Sequence, residues 1–479
     1  MNLKKMKLKT LLLFFVVALS LQVIAQSPQS VIITGTAPDY RNYEIQLYRY
    51  ADAISKTKEL VSTISIDAEG SFHSTAKLSA TTYCFADFDA YRAFIYLEPG
   101  KEYELVFPPL KQIPASQKRN PFFQAEETAF ALKNSSANDL NRQIQQFELA
   151  YLKEESRYFN QIFNLQSKAA VDSLKANLSI QFSQSNNTYF NQYLFYRTAF
   201  AEYALHQGQS ESFVKNYFID HQPNLLIPSC HRLFRQLFND YFSFESNQIR
   251  GTEFKRLVAR ADLNGIEGYF ANKKQWDTNL SQLVILQSIH DAYSQGQFSQ
   301  GSLLRLLDTI DASNWPSDKK KIAKRLKERL TYLQTGSDAP TIKLTDFSGV
   351  SQQLSSFKGK YIYLNFTRVA NPICRQHLDQ LKQAGDVLKQ QVQILNLILP
   401  EEASKQELIL QQNWPGEFFI INEQAADTYR VTTLPMAYLI DPSGKLVMSP
   451  APNPLDGFEQ QFLNLLKQNR LNELRQQGR

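Results

Sequence analysis

The stretch "KYIYLNFTRVANPICRQH" (residues 360–377) decides the fold of the C-terminal part of the chain. Its first residues form a short run of aliphatic and aromatic side chains, which is typical of a buried β-strand. A helix is predicted from about Pro372 to Leu388, because Asn371 is a favourable N-cap residue and proline favours the first helical position. A strand, a short turn and a helix in this order indicate the beginning of an α/β domain.

The alternation of strands and helices continues over residues 336–470. The linker-like "GSDAP" (residues 336–340) opens this region, and "VQILNLIL" (residues 392–399) is typical of a second buried strand. The stretch "AYLIDPSGKLVMS" (residues 437–449) predicts a hairpin, and a helix is predicted over residues 457–468. The resulting order, β-α-β followed by β-β-α, predicts one α/β domain at the C-terminal end.

Two other regions precede this domain. Residues 30–112 contain short runs rich in β-branched and aromatic residues, separated by turn residues, which predicts a small antiparallel β-sandwich. Residues 120–335 are predicted to be all α-helical, because apolar residues recur at helical spacing, as at Leu140, Ile144 and Phe147. The chain of 479 residues is therefore predicted to be a multi-domain protein with these three regions in order.

The first 25 residues are predicted to be an export signal. Their apolar segment "LLLFFVVALSL" (residues 11–21) is followed by a plausible cleavage site at Val23 and Ala25. The segment is preceded by four lysines: Lys4, Lys5, Lys7 and Lys9. An uncleaved membrane anchor remains an alternative, although the apolar run is shorter than the roughly 20 residues that span a bilayer. We therefore expect an exported protein of the bacterial periplasm or cell envelope, with no membrane span in the mature chain.

The charge pattern argues against nucleic acid as a partner. The formal net charge of +6 falls to +2 when the four lysines of the signal are removed, and no dense basic patch is left. The sequence also lacks a phosphate-binding glycine loop, a G-x-S-x-G motif and an H-E-x-x-H motif. We therefore predict no cofactor and no metal site.

The chain contains three cysteines: Cys84, Cys230 and Cys374. An odd number means that at least one thiol is free or is paired with another molecule. Only Cys374 lies in the predicted α/β domain, close to the start of its first helix. Thiol redox enzymes place a cysteine at a helix N-terminus, where the helix dipole stabilises the thiolate, but Cys374 is predicted about one turn inside the helix, where this effect is weaker.

The α/β region resembles the thioredoxin fold, and specifically the exported TlpA/ResA-like branch with its AhpC/TSA-type relatives. The resemblance is carried by "GSDAPTIKLTDFSGVSQQLSSFKGKYIYLNF" (residues 336–366) and by "TTLPMAYLIDPSGKL" (residues 432–446). It implies a cis peptide bond at Leu434–Pro435, in a loop that packs beside a redox-active cysteine pair. It also implies thiol-disulfide oxidoreductase ancestry. The predicted β-sandwich is similar to those that precede such domains.

The sequence departs from the family at the redox pair itself. Where the family has Trp-Cys-x-x-Cys, this chain has "ANPIC" (residues 370–374). By this resemblance, Cys374 takes the place of the resolving cysteine and Asn371 that of the attacking cysteine. The degenerate pair leaves open whether the protein is an enzyme.

Two hypotheses remain from the sequence. In the first, the protein is non-catalytic and binds a protein or peptide partner of the cell envelope through Asn371, Pro372, Leu434 and Pro435. In the second, Cys374 is a catalytic residue of a one-cysteine oxidoreductase, with His377 lowering the pKa of its thiol or taking its proton. A buried Cys374 favours the first hypothesis, whereas an exposed Cys374 of low pKa favours the second.

Overall fold

A computed structural model describes residues 27–113, 123–205, 211–249, 251–383 and 386–477. The chain divides into two compact units, the first made of Met1–Gln112 and Ala125–Lys327, the second of Ile113–Gln124 and Glu328–Arg479. The predicted signal at residues 1–25 lies outside the described residues. In the part that the structure describes, no helix is both long and apolar enough to cross a membrane.

The first unit begins with two β-sheets that share one hydrophobic core. The strand order is β4-β1-β7-β9 in one sheet and β3-β2-β5-β6-β8 in the other. The strands are β1 (Gln29–Thr36), β2 (Glu44–Tyr50), β3 (Lys58–Ser65), β4 (Ser71–Leu78), β5 (Thr82–Phe88), β6 (Tyr91–Leu97), β7 (Glu102–Val106), β8 (Glu126–Ala129) and β9 (Ala131–Lys133). Side chains alternate between buried and exposed along β4, as expected for strands with one face on the core.

The β-rich part differs from the prediction in two ways. Two of its strand pairs, β1 with β7 and β6 with β8, are parallel, so the sheets are not purely antiparallel. Residues 126–133, which the sequence assigned to the helical region, form β8 and β9. The reason is a local period of two, since Phe130 and Leu132 both pack against the core of the sheets.

Helices make up the rest of the first unit, as predicted. They are α1 (Leu140–Phe159), α2 (Lys168–Phe182), α3 (Thr188–Tyr203), α4 (Glu211–Val214), α5 (Pro228–Phe238), α6 (Tyr241–Ser246), α7 (Gly251–Arg260), α8 (Leu263–Lys274), α9 (Thr278–Ala292), α10 (Gln300–Ala312) and α11 (Ser317–Thr331). Leu140, Ile144 and Phe147 lie buried on one face of α1, which confirms the helical spacing read from the sequence. Asp139 caps this helix by accepting hydrogen bonds from the backbone N–H groups of Asn141 and Arg142.

Helices α1 and α3 are joined by a partly buried ion pair, in which the Glu148 side chain is 28% exposed. The Nε of Arg197 lies 3.0 and 3.1 Å from the two carboxylate oxygens of Glu148. The guanidinium carbon of Arg197 lies 3.6 Å from the centre of the Tyr151 ring, and Arg197 is 8% exposed. The charge is therefore removed from water but satisfied by a carboxylate and an aromatic face.

The second unit is a seven-stranded mixed sheet with helices on both faces, consistent with the thioredoxin-like α/β domain predicted from the sequence. Its strand order is β11-β10-β14-β13-β12-β15-β16. The strands are β10 (Lys343–Thr345), β11 (Ser351–Gln353), β12 (Tyr361–Phe366), β13 (Val392–Ile398), β14 (Glu417–Ile420), β15 (Met436–Ile440) and β16 (Leu446–Ala451). The helices are α12 (Pro372–Lys382), α13 (Asp386–Gln391), α14 (Gln406–Gln412), α15 (Glu423–Thr428) and α16 (Phe458–Gln477).

The central strands of this sheet explain the apolar runs in the sequence. Strand β12 is parallel to β13 and antiparallel to β15, and it is buried from Ile362 to Phe366. Two hydrophobic clusters cover the two faces of the sheet.

Two helix ends in this unit differ from the prediction. The helix expected to reach Leu388 ends at Lys382, and the last helix continues to Gln477 rather than ending at Gln468.

The partly buried Arg197–Glu148 pair gives a stability prediction. We expect Arg197→Ala to lower the free energy of unfolding by about 2–3 kcal/mol, because the Glu148 carboxylate loses its cation and the Tyr151 ring loses its stacked group. Urea unfolding followed by circular dichroism measures the change. The matched control is Lys215→Ala, since the Lys215–Asp220 pair has side chains 64% and 47% exposed and is expected to contribute less than about 1 kcal/mol. Equal losses in the two variants would contradict this interpretation.

Candidate functional site at the start of helix α12

Three loops meet at one edge of the central sheet. Phe366, at the end of β12, pairs with Leu397 near the end of β13 and with Met436 at the start of β15. The turn from β12 into α12, the segment after β13 and the loop before β15 therefore leave the sheet at the same edge. Ligand sites of α/β sheets are found at the carboxyl ends of parallel strands, which is the position of this edge.

The first turn of α12 is held by Asn371. Its backbone is extended, with φ −86° and ψ 124°, and its side-chain oxygen accepts a hydrogen bond of 2.9 Å from the Ile373 N–H. Pro372 occupies the first helical position, where its missing N–H costs nothing. The N-cap predicted from the sequence is thus confirmed, and the side chain of Asn371 is used to begin the helix.

Cys374 lies one turn into the helix and is fully buried, with 0% of its surface exposed. Burial raises the pKa of its thiol above the ordinary cysteine value, and the nearby Arg368 backbone and Thr367 side chain offset only part of this effect. Cys374, Cys84 and Cys230 are all free thiols and all buried. Because the thiolate is the nucleophilic form, burial and a raised pKa both reduce the reactivity of Cys374.

His377 is also buried, at 6% exposure, on the inner face of α12. Burial lowers the pKa of its imidazole, and the nearby Asp456 carboxylate and Asn453 side chain counteract part of this shift. The imidazole is therefore neutral near pH 7. A neutral ring supplies no positive charge to lower the pKa of the Cys374 thiol, which was one of the two roles the sequence suggested for it. The other role, taking the proton of the thiol, stays a prediction.

Glu402 is the residue of this site that sequence reasoning missed. Its side chain is buried, with one carboxylate oxygen accepting a 2.9 Å hydrogen bond from the Ala370 N–H and the other 3.5 Å from Nε of Arg368. The carboxylate thus holds the turn that leads into α12. A signal was present, because Glu401 and Glu402 follow closely after a buried parallel strand, at the edge where such sheets place functional groups.

The proline loop reaches the same edge from the other side of β12. The Leu434–Pro435 peptide bond is cis, as the family resemblance implied, and a second cis bond not predicted from the sequence occurs at Ser449–Pro450. Leu434 and Pro435 are half-buried, and Leu434 packs against the core under this edge. Next to the helix start, Ile373 is 55% exposed and Pro372 is also exposed, so this edge presents apolar side chains to solvent.

The sheet register therefore brings all the predicted site residues to one edge. Asn371 and Pro372 lie at the start of α12, and Leu434 and Pro435 lie directly before the neighbouring strand β15. Cys374 belongs to the same helix start but lies beneath it. Among the described residues, no group of three or more His, Cys, Asp or Glu side chains is arranged to hold a metal ion.

Comparisons with known proteins concern this same part of the chain. Residues 335–449 match the AhpC/TSA family. The thiol-disulfide oxidoreductase ResA of Bacillus subtilis is 28% identical over 139 residues, which cover 28% of this chain and 77% of that protein. ResA of Geobacillus kaustophilus is 29% identical over 119 residues, which cover 24% of this chain and 68% of that protein.

Two solved structures are also similar to part of this chain, each with a low TM-score. A thiol:disulfide interchange protein from Bacteroides sp. is 26% identical, with 28% of this chain and 92% of that chain covered, and a TM-score of 0.25. The thioredoxin domain of a thiol-disulfide oxidoreductase from Bacteroides vulgatus is 24% identical, with 27% and 96% covered and a TM-score of 0.24. The family match and the ResA relatives, taken with the fold of the second unit, support the similarity of residues 335–449 to the TlpA/ResA-like thioredoxin-fold family.

Proposed function

We propose that this is an exported protein of the bacterial cell envelope whose thioredoxin-like unit binds a protein or peptide partner without catalysing thiol-disulfide exchange. One observation carries the proposal. At the helix start where the family places its attacking cysteine, the chain has Asn371, and the side chain of Asn371 is engaged in capping α12. The leader-like composition of residues 1–25 supports export.

The chemistry of disulfide exchange supports a non-catalytic role. A dithiol oxidoreductase needs one thiol to attack the partner disulfide and a second thiol to resolve the mixed disulfide. From residue 328 to the end, the sequence contains a single cysteine, Cys374. A carboxamide cannot replace the attacking thiolate, and the remaining thiol is buried with a raised pKa.

The same edge of the sheet has the surface features of a binding site. Pro372 and Ile373 are exposed, and Asn371, Leu434 and Pro435 are half-buried. By family resemblance, the proline loop receives an extended segment of a partner, and main-chain pairing of that kind does not require a thiol. Glu402 stabilises the turn before α12 and so keeps this surface in one conformation.

A residual one-cysteine oxidoreductase is the second candidate. It is favoured by the position of Cys374 in the first turn of a helix, where the dipole stabilises a thiolate. In this case an external thiol would have to resolve the mixed disulfide formed at Cys374. The one-cysteine enzyme requires an accessible, reactive thiol at Cys374, whereas the binding protein does not. Thiol labelling therefore distinguishes the two candidates.

The first prediction concerns the accessibility of the thiols. Native protein treated with iodoacetamide at pH 7 is expected to show almost no alkylation at Cys374, while unfolded protein is alkylated at all three cysteines. Because burial raises the pKa of Cys374, native labelling should increase only at a pH above the ordinary pKa of a cysteine thiol. Mass spectrometry of peptides measures each site. Rapid native labelling of Cys374 at pH 7 would favour the one-cysteine enzyme instead.

A second prediction restores the missing thiol. Asn371→Cys places a cysteine at the helix start, three residues before Cys374, and is expected to create a reversible disulfide and measurable reduction of insulin. Asn371→Ser is the matched control, because serine keeps the N-cap without adding a thiol. The wild-type protein and Asn371→Ser should both be inactive. Insulin reduction by the wild-type protein that is lost in Cys374→Ser would show the non-catalytic proposal to be wrong.

A third prediction tests the binding surface. A photo-crosslinking amino acid in place of Ile373 is expected to trap a defined protein or peptide in the envelope fraction. Crosslinking should decrease in a Pro435→Ala background, because the proline loop forms the other side of the surface. Val350, which is 62% exposed in the same unit on the turn between β10 and β11, is the control position. Equal crosslinking from Val350 and Ile373 would contradict a specific site at this edge.

A further inference from the structure

The first unit contains a large cavity that the thioredoxin-like site does not use. It has a volume of about 640 Å³. The segment between β2 and β3, the residues between β4 and β5, and the first turns of α5 line most of its wall. Pockets of roughly 300–1,000 Å³ are typical of small-molecule sites, so this cavity is large enough for an organic ligand.

The lining of the cavity is predominantly cationic. Four of its side chains are positively charged, and two are carboxylates, Glu59 and Glu127. The four cations are Arg49, Lys56, Arg232 and Arg235. Glu59 is already neutralised, because it lies 3.0 Å from Arg49 and 3.0 Å from Arg325. The charge that remains is therefore positive, which favours an anion.

Lys56 is held in place by the loop that carries it. The Asp52 carboxylate accepts hydrogen bonds from the N–H groups of Ile54 and Ser55 and from the Ser55 hydroxyl, and Arg325 lies 3.6 Å from it. Lys56 itself has φ 51°, a left-handed conformation that is uncommon for lysine. An unfavourable backbone conformation in a tightly bonded loop is more common at functional positions than elsewhere.

Arg232 faces the cavity from the other side. It is exposed, and it forms no ion pair or hydrogen bond with any residue that the structure describes. Arg235, three residues further along α5, is instead paired with Asp291 at 3.6 Å and with Asn239. Arg232 is thus the lining cation whose charge is available to a ligand.

The beginning of α5 adds to the positive potential. This helix has 11 residues, Ile227 at its N-cap provides no side-chain acceptor, and Pro228 follows at the first helical position. Backbone N–H groups at such a helix start attract anions. His231, which also lines the cavity, has its pKa lowered to about 4 by burial and by the charges of Lys56 and Arg235, and the Asp291 carboxylate opposes this shift.

The remaining wall combines aromatic and aliphatic side chains with the polar Ser79, Thr81, Thr82 and Asn224. The rings of Tyr50, Tyr83 and Tyr189 line the cavity, and Leu226 at its border is 49% exposed. Aromatic side chains next to cationic groups suit a ligand that has both an acid group and an apolar body.

We propose that this cavity binds a small organic anion, whose carboxylate or phosphate contacts Arg232 and Lys56 and whose apolar body lies against the tyrosines. The proposal is independent of the function proposed for the thioredoxin-like unit, because all of its residues belong to the first unit.

Isothermal titration of the full-length protein with three probes tests this proposal. N-acetylphenylalanine and phenyl phosphate carry the two acid groups on the same kind of ring, and N-acetylphenylalaninamide is the neutral control. At least one of the acids is expected to bind, and the amide is not. Binding of only one acid identifies the acid group that the site accepts. No binding of either acid up to about 10 mM would overturn the proposal, as would equal binding of the amide.

Two variants test whether the acid binds in this cavity. Arg232→Ala and Lys56→Gly are each expected to weaken binding of the acid about tenfold or more, because each removes a charged partner. Glycine is chosen at position 56 since it accepts the left-handed backbone conformation and should not disturb the loop. Arg157→Ala is the control, as its side chain is 64% exposed and does not line the cavity. Unchanged affinity in both test variants, or an equal loss in the control, would place the binding elsewhere and overturn the assignment.

Discussion

The hydrogen bond from the Ile373 N–H to the Asn371 side chain holds the helix start on which the candidate site is built. A cap of this kind contributes about 1 kcal/mol, and a backbone N–H in the turn before it, at Ala370, is satisfied by the buried Glu402. These two bonds fix where the chain leaves β12 and enters α12. The positions of Pro372, Ile373 and Cys374 follow from them.

The same cap shows that this helix start forms with an asparagine at the position of the family's attacking cysteine. A cysteine at the start of a helix is activated by the exposed N–H groups, whereas an asparagine at that position consumes one of them. The proline at the first helical position keeps the backbone geometry. Cys374 then remains as a small side chain with its sulfur in the core, which is a common role for a free cysteine. Similarity to the thioredoxin-fold family therefore does not settle whether the site is an enzyme.

The starts of helices α12 and α5 differ in whether a side chain caps their backbone N–H groups. The start of α12 is satisfied by its own Asn371 side chain, and its surroundings present apolar groups such as Ile373 to solvent. The start of α5 has no side-chain cap and faces a cavity lined by Arg232 and Lys56. The first arrangement suits an extended peptide segment, and the second suits a small anion, because uncapped N–H groups and cations favour negative charge.

Strands β12 and β13, the N-cap at Asn371 and the helical spacing in α1 could be predicted from the sequence, since each depends on residues within a few positions of one another. The cis bond at Leu434–Pro435 came from family resemblance. The position of Glu401 and Glu402 after β13 was a signal, but the contact of Glu402 with Ala370 could not be assigned in advance, because Ala370 is 32 residues away and the contact exists only after β12 and β13 pair. The burial of Cys374 and the cationic cavity likewise depend on segments that are distant in the sequence. Short stretches of sequence determine the local backbone conformation. Burial, ion pairing and cavities depend on which distant segments the fold brings together.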